Sequence, residues 1–101
     1  MSDAVTQSVT VPGENGLHLV PCSLIAQSAS SFECEVRIRK GAQTVDAKNI
    51  FDLMSLNAGH GAELILEAAG TCARDAIDAL VALFESGFNG HASRKAAQES
   101  H

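Results

Sequence analysis

A histidine that follows a glycine-containing loop and precedes a proline, in Asn15-Gly16-Leu17-His18-Leu19-Val20-Pro21, is the strongest candidate for chemistry in this sequence. A neutral imidazole is a nucleophile at physiological pH, and phosphorylating a ring nitrogen gives a P–N bond reactive enough to be passed on again. Such a transfer needs placement and charge stabilisation and asks little else of side chains. Apolar-polar alternation ends at Val11 and helical spacing begins just after His18, so the histidine falls at a strand-to-helix junction. Pro21 suits the first helical turn, where its missing N–H costs nothing and its φ is already helical. Amides among Leu19, Val20, Cys22 and Ser23 then include donors without an intrahelical acceptor, which makes an anion site beside the imidazole. Leu19, Val20 and Cys22 are the expected phosphate-binding backbone donors. The competing reading is that His18 only caps the helix or packs against Pro21.

Other reactive side chains are weaker candidates. His18 and Cys22 are four residues apart and could share a metal, but Cys22 belongs to an apolar helix face and no further ligands are visible, so no metal and no cofactor is expected. The three cysteines, Cys22, Cys34 and Cys72, are an odd number without a C-x-x-C spacing, which argues for reduced and mostly buried thiols. His60 in a Gly-flanked turn, and His91 and His101 near the C-terminus, read as solvated bystanders. Acidic residues are scattered over element exteriors and suggest no catalytic carboxylate pair.

The elements that must hold His18 can be read from periodicity. Val5, Val9 and Val11 share one side of a strand that Pro12 and Gly13 break. Cys22, Ile25, Ala26 and Ala29 form one helix face, and the helix ends in Ser28-Ala29-Ser30-Ser31. Phe32 to Arg39 alternates apolar and charged residues as a second strand, Lys40-Gly41 turns, and residues 43–47 return as a hairpin partner. Asn49 is an N-cap for a short helix through Leu56, with Asp52 at its positive end. Ala62 to Ala68 alternates again, Gly70 ends it, Thr71 caps a last helix, and Gly87 is its C-cap residue. The order β-α-β-β-α-β-α is an α+β arrangement. It folds most simply as a four-stranded antiparallel sheet with three helices on one face, the other face meeting water. Residues 1–88 form the domain and residues 89–101 a mobile tail.

Composition removes whole classes of function. With 101 residues the chain is one domain, and 46% hydrophobic content excludes wholesale disorder. No apolar run reaches the length of a membrane span and no secretory signal is visible, so a cytoplasmic location is expected. A net charge of −5 without Trp or Tyr argues against a nucleic-acid-binding face.

Gly16-Leu17-His18-x-x-Pro21 resembles the active-site signature of HPr, the histidine-containing phosphocarrier of the phosphoenolpyruvate-dependent sugar phosphotransferase system. Lys48-Asn49-Ile50-Phe51-Asp52-Leu53-Met54-Ser55-Leu56 followed by Gly61-Ala62-Glu63-Leu64 resembles the second-helix and fourth-strand region of the same family. The two matches make the resemblance span about Val5 to Glu85. It implies an open-faced β-sandwich, phosphorylation of His18 on Nδ1, an enzyme I-like kinase as donor, and IIA-type or regulatory proteins as acceptors. Such a chain relays phosphate and turns nothing over by itself.

Two departures bear on function. Where the family has an arginine between the histidine and the proline this chain has Val20, which offers only its backbone N–H in place of a bidentate contact. No Lys or Arg occurs from Met1 through Cys34, which predicts slower or weaker phosphorylation, or a partner adapted to an uncharged face. A tail residue such as Arg94 or Lys95 could compensate. In the serine-kinase-regulated branch a serine opens the second helix, and here that position is Asn49, which cannot be phosphorylated; Ser55 reads as an ordinary helix residue. Leu19, Val20, Ile50, Phe51 and Met54 would form an apolar docking patch beside the phosphate site, unless Ile50 and Met54 are buried against the sheet. The alternative function is a binding or regulatory module that keeps the histidine and docks through this patch.

Overall fold

The computed structural model describes residues 4–88. Strands β1 (Val5–Thr10), β2 (Glu35–Lys40), β3 (Gln43–Asp46) and β4 (Glu63–Ala69) alternate with helices α1 (Leu19–Ser30), α2 (Ile50–Ser55) and α3 (Ala73–Glu85). The strands form one sheet in the order β1-β4-β2-β3. Every neighbouring pair is antiparallel, with Val9 opposite Leu64, Ile38 opposite Leu66 and Ile38 opposite Val45. Helix α1 packs on both α2 and α3, α3 lies on β1 and β4, and α2 lies against β3. This is the α+β, β-α-β-β-α-β-α architecture that the periodicities predict.

Alternation decides which face is covered. Val36, Ile38, Leu64, Leu66 and Ala68 point inward and are buried, while Glu35, Arg37 and Glu63 between them stay exposed. Ile25, Leu53, Ile77 and Leu80 reach the same core from the helices. Each large aliphatic side chain so buried contributes roughly 1.5–3 kcal/mol relative to exposure.

The ends of β3, α2 and β4 fall within one residue of the periodicity reading, and three other boundaries differ from it for a local reason. The second strand begins at Glu35, because the amides of Ser31 and Phe32 still bond to the Ser28 and Ala29 carbonyls at the end of α1. Thr71 does not cap α3. The N-cap is Cys72, which makes no side-chain capping bond, and Thr71 sits exposed in the preceding turn. Gly87 lies one residue beyond the cap residue Ser86, where a φ of 69° is needed. There the Phe88 amide reaches the Leu83 carbonyl and the Gly87 amide the Phe84 carbonyl, the Schellman pattern of a helix end. The expected tail, with His91, Arg94, Lys95 and His101, lies outside the described residues.

Candidate functional site

The segment from Val11 to Leu17 carries the chain from β1 to α1 and is fastened to the stretch from Ala58 to Ala62 that follows α2. Four bonds tie the two together. The Leu17 amide donates to the Ala58 carbonyl at 2.8 Å, Gly61 donates to Val11 at 2.9 Å, and Val11 donates to Ala62 at 2.9 Å. The fourth joins His60 Nδ1 to the Gly13 carbonyl at 2.6 Å, which requires the proton on Nδ1. Gly16 is the close point of this docking. Its φ is +66°, and a Cβ there would lie 2.5 Å from the Ala58 oxygen. Glycine is therefore needed twice over, for the backbone angle and for the approach.

His18 emerges from this anchored loop as the N-cap residue of α1, with extended backbone (φ −96°, ψ −164°). Its side chain makes no capping bond and is exposed. The reading that the imidazole merely caps the helix therefore has no support in the geometry. Pro21, as expected, falls in the first turn and is buried.

The donor set is smaller than the sequence suggests. His18's own amide bonds to the Gly16 carbonyl at 3.1 Å, and the Cys22 amide bonds to the His18 carbonyl at 3.1 Å. Cys22 is the fourth helical residue, so it makes the first intrahelical bond, and Pro21 ahead of it has no N–H to offer. The expectation that Cys22 offers a backbone donor is corrected accordingly, and Ser23 lies deeper still. Among the described residues the Leu19 and Val20 amides are the two that remain without an acceptor at this helix start.

Cys22 is a core thiol. Its side chain is buried, donates toward the Leu17 carbonyl at 3.7 Å, and burial pushes its pKa up. Among the described residues no group of three or more His, Cys, Asp or Glu side chains is placed to hold a metal ion.

The apolar candidates divide. Leu19 and Val20 are each 57% exposed, Phe51 is 81% exposed and Met54 39%. Ile50 is half-buried against the core, while Leu53 and Leu56 are fully inside. The two groups stand on α1 and α2, helices that pack directly on each other. Asn49 holds the start of α2 through its Oδ1, which accepts from the Phe51 amide at 2.9 Å and the Asp52 amide at 3.2 Å. At the other end Lys40 Nζ donates to the Leu56 carbonyl at 3.1 Å, a cation at the negative helix terminus. Ser55 Oγ bonds back to the Asp52 carbonyl at 2.6 Å, as an ordinary helical serine does. A groove of about 700 Å³ runs between α1 and the start of α2, lined by Gln27, Asn49 and Phe51 among others, and does not include His18. The imidazole is exposed and stands outside this groove.

His60 is the residue that sequence reasoning missed. Its flanking glycines mark a turn, but the carbonyl it reaches is 47 positions away.

Comparison with known proteins agrees with this fold. The family described as "PTS HPr component phosphorylation site" matches residues 5–86. The HPr-like protein Crh of Halalkalibacterium halodurans is 37% identical over 81 residues, covering 80% of this chain and 96% of the relative. The phosphocarrier protein HPr of Vibrio cholerae is 29% identical over 79 residues, 78% of this chain and 93% of that one. The crystal structure of HPr-C-His from Thermoanaerobacter tengcongensis superposes with a TM-score of 0.81 at 35% identity, covering 84% of this chain and 96% of that one.

Proposed function

The chain belongs to the HPr family of the phosphotransferase system, and from that premise we propose that it carries a phosphoryl group on His18 Nδ1. An enzyme I-like, phosphoenolpyruvate-dependent kinase supplies the group, and a IIA-type or regulatory protein takes it, in the cytoplasm. The observation that carries this reading is the exposed, uncommitted imidazole at the N-cap of a 12-residue helix whose Leu19 and Val20 amides are without acceptors.

In the proposed step the Nδ1 lone pair attacks the phosphorus of the donor phosphohistidine, the donor P–N bond breaks, and the phosphoryl oxygens meet the Leu19 and Val20 amides. These dipoles and the positive end of α1 stabilise the anion without a side-chain cation. Transfer onward repeats the displacement, with His18 as the leaving group. Leu19, Val20, Phe51 and Met54, with the outer part of Ile50, form the docking surface. Its apolar character suits partners that repack against Met and Phe rather than partners held by charge.

A second reading is favoured by Val20, which is exposed where the family carries an arginine. On that reading the chain docks and regulates but relays phosphate poorly. Incubation with phosphoenolpyruvate and purified enzyme I separates the two. Acid-labile phosphate on the wild type, absent from His18→Ala, supports the carrier; a wild type that takes up no phosphate leaves the regulatory module.

A further inference from the structure

Cys34 and Cys72 lie 38 positions apart in sequence, yet the Cys34 amide donates to Cys72 Sγ at 3.1 Å. Cys34 immediately precedes β2 and Cys72 immediately precedes α3, at the end of α1 remote from His18. Gly70 makes the approach possible. Its φ is +124°, and a Cβ there would stand 2.9 Å from the Cys34 Cβ. Both sulfurs are free thiols, Cys34 buried and Cys72 half-buried. They border a surface cleft of about 550 Å³ whose walls include Phe32, Glu33 and Thr71.

We propose that Cys34 and Cys72 are a peroxide-reactive dithiol that closes to an intramolecular disulfide, with Cys72 as the attacking thiol and Cys34 as the resolving one. The assignment of roles follows from surroundings. Cys72 is the more exposed of the two and its Sγ accepts the Cys34 amide at 3.1 Å, while the neighbouring Cys34 thiol is the chief cause holding its pKa below the ordinary thiol value against the opposing effect of burial. Cys34 is pushed the other way, first by burial and then by its neighbour's sulfur. A pair of thiols split in this way, the more acidic one reachable from solvent, is the arrangement of a redox-responsive cysteine with its partner.

The chemistry balances with a hydroperoxide as oxidant. The Cys72 thiolate attacks one peroxide oxygen, the O–O bond breaks, and hydroxide leaves, giving a sulfenic acid. Cys34 sulfur then attacks Cys72 Sγ, the S–O bond breaks, and the thiol proton departs with hydroxide as water. In sum two thiols are oxidised by two electrons and hydrogen peroxide is reduced to two waters.

The full-length reduced chain is treated with hydrogen peroxide at a dose that half-oxidises free cysteine, then blocked with N-ethylmaleimide. Digestion with trypsin and a glutamate-specific protease places Cys22, Cys34 and Cys72 on separate fragments. The expected product is a linked Cys34–Cys72 fragment from monomeric protein, with Cys22 alkylated. In Cys34→Ser the same dose should leave a Cys72 sulfenic acid trappable by dimedone. Because the wild-type product is decisive by itself, a poorly folded variant does not protect the proposal. It is overturned by an intermolecular Cys72–Cys72 dimer, by a Cys72 sulfinic acid with Cys34 still free, or by no oxidation at that dose.

Discussion

Gly16 and Ala58 meet backbone to backbone, so closely that a Cβ on Gly16 would sit 2.5 Å from the Ala58 oxygen. The same oxygen accepts the Leu17 amide. The placement of His18 is therefore set by the turn after α2 as much as by the helix it begins.

Replacing Gly16 with alanine adds both the clash and a positive-φ penalty, and should cost about 2–3 kcal/mol. Gly13, at φ +85° with nothing within 4 Å of a built Cβ, carries the angle without the clash. Gly13→Ala should cost only about 1 kcal/mol. Urea midpoints of the two variants give the comparison, and equal losses would show that the close contact has no role.

Val20→Arg supplies the side-chain cation that the family has at this position. Since Val20 is 57% exposed, folding stability should change by no more than about 0.5 kcal/mol. A charge-assisted contact to the transferring group is expected to raise the rate of phosphorylation by enzyme I about tenfold, equivalent to about 1.4 kcal/mol. An unchanged initial rate would mean that the Leu19 and Val20 amides already suffice.

Asn49 holds two otherwise unpaired amides of α2. Asn49→Ala should lower stability by about 1 kcal/mol, and Asn49→Ser by much less, because serine caps about as well. Thermal melts of the three proteins test the ordering. A silent alanine variant would assign the start of α2 to packing alone.

Phe51 and Leu53 are two positions apart and opposite in environment, the first 81% exposed and the second fully buried. Leu53→Ala should cost about 2–5 kcal/mol, the range for emptying a packed aliphatic site. Phe51→Ala should leave stability within about 0.5 kcal/mol and weaken binding to enzyme I. Titration calorimetry that found unaltered binding would remove Phe51 from the docking surface.

The three thiols should alkylate in a fixed order as pH is raised. Cys72, with its pKa lowered chiefly by the Cys34 thiol, is a thiolate at lower pH than an ordinary cysteine and should react first with iodoacetamide. Cys22 and Cys34, both pushed up by burial, should react only at higher pH or on unfolding. Mass spectrometry of the labelled fragments across pH 6–10 reads the order, and Cys22 labelling ahead of Cys72 would contradict it.

Legibility in the sequence tracked the range of the interaction. The Asn49 cap was legible because its two acceptor bonds reach only two and three residues onward. The core faces of α1 and β4 were legible because burial repeats with the helical or strand period. The start of β2 was misplaced because Phe32 continues an alternating pattern, while its amide is still taken by the end of α1. Thr71 was a plausible cap by residue type, but the Gly70 turn delivers Cys72 to that position. Cys22 stands one position past the first three helical residues, and its N–H is taken by the His18 carbonyl.

By itself the sequence determined the order of elements, the apolar faces that had to be covered, and a histidine placed just ahead of a proline-started helix, since each depends on neighbours within about one turn or one strand pair. Tertiary structure alone decided that His60 would brace Gly13 and that Cys34 would meet Cys72. Those relations join positions 38 and 47 residues apart. They exist only where β4 pairs with both β1 and β2 and so brings distant loops together, and no local propensity specifies that return.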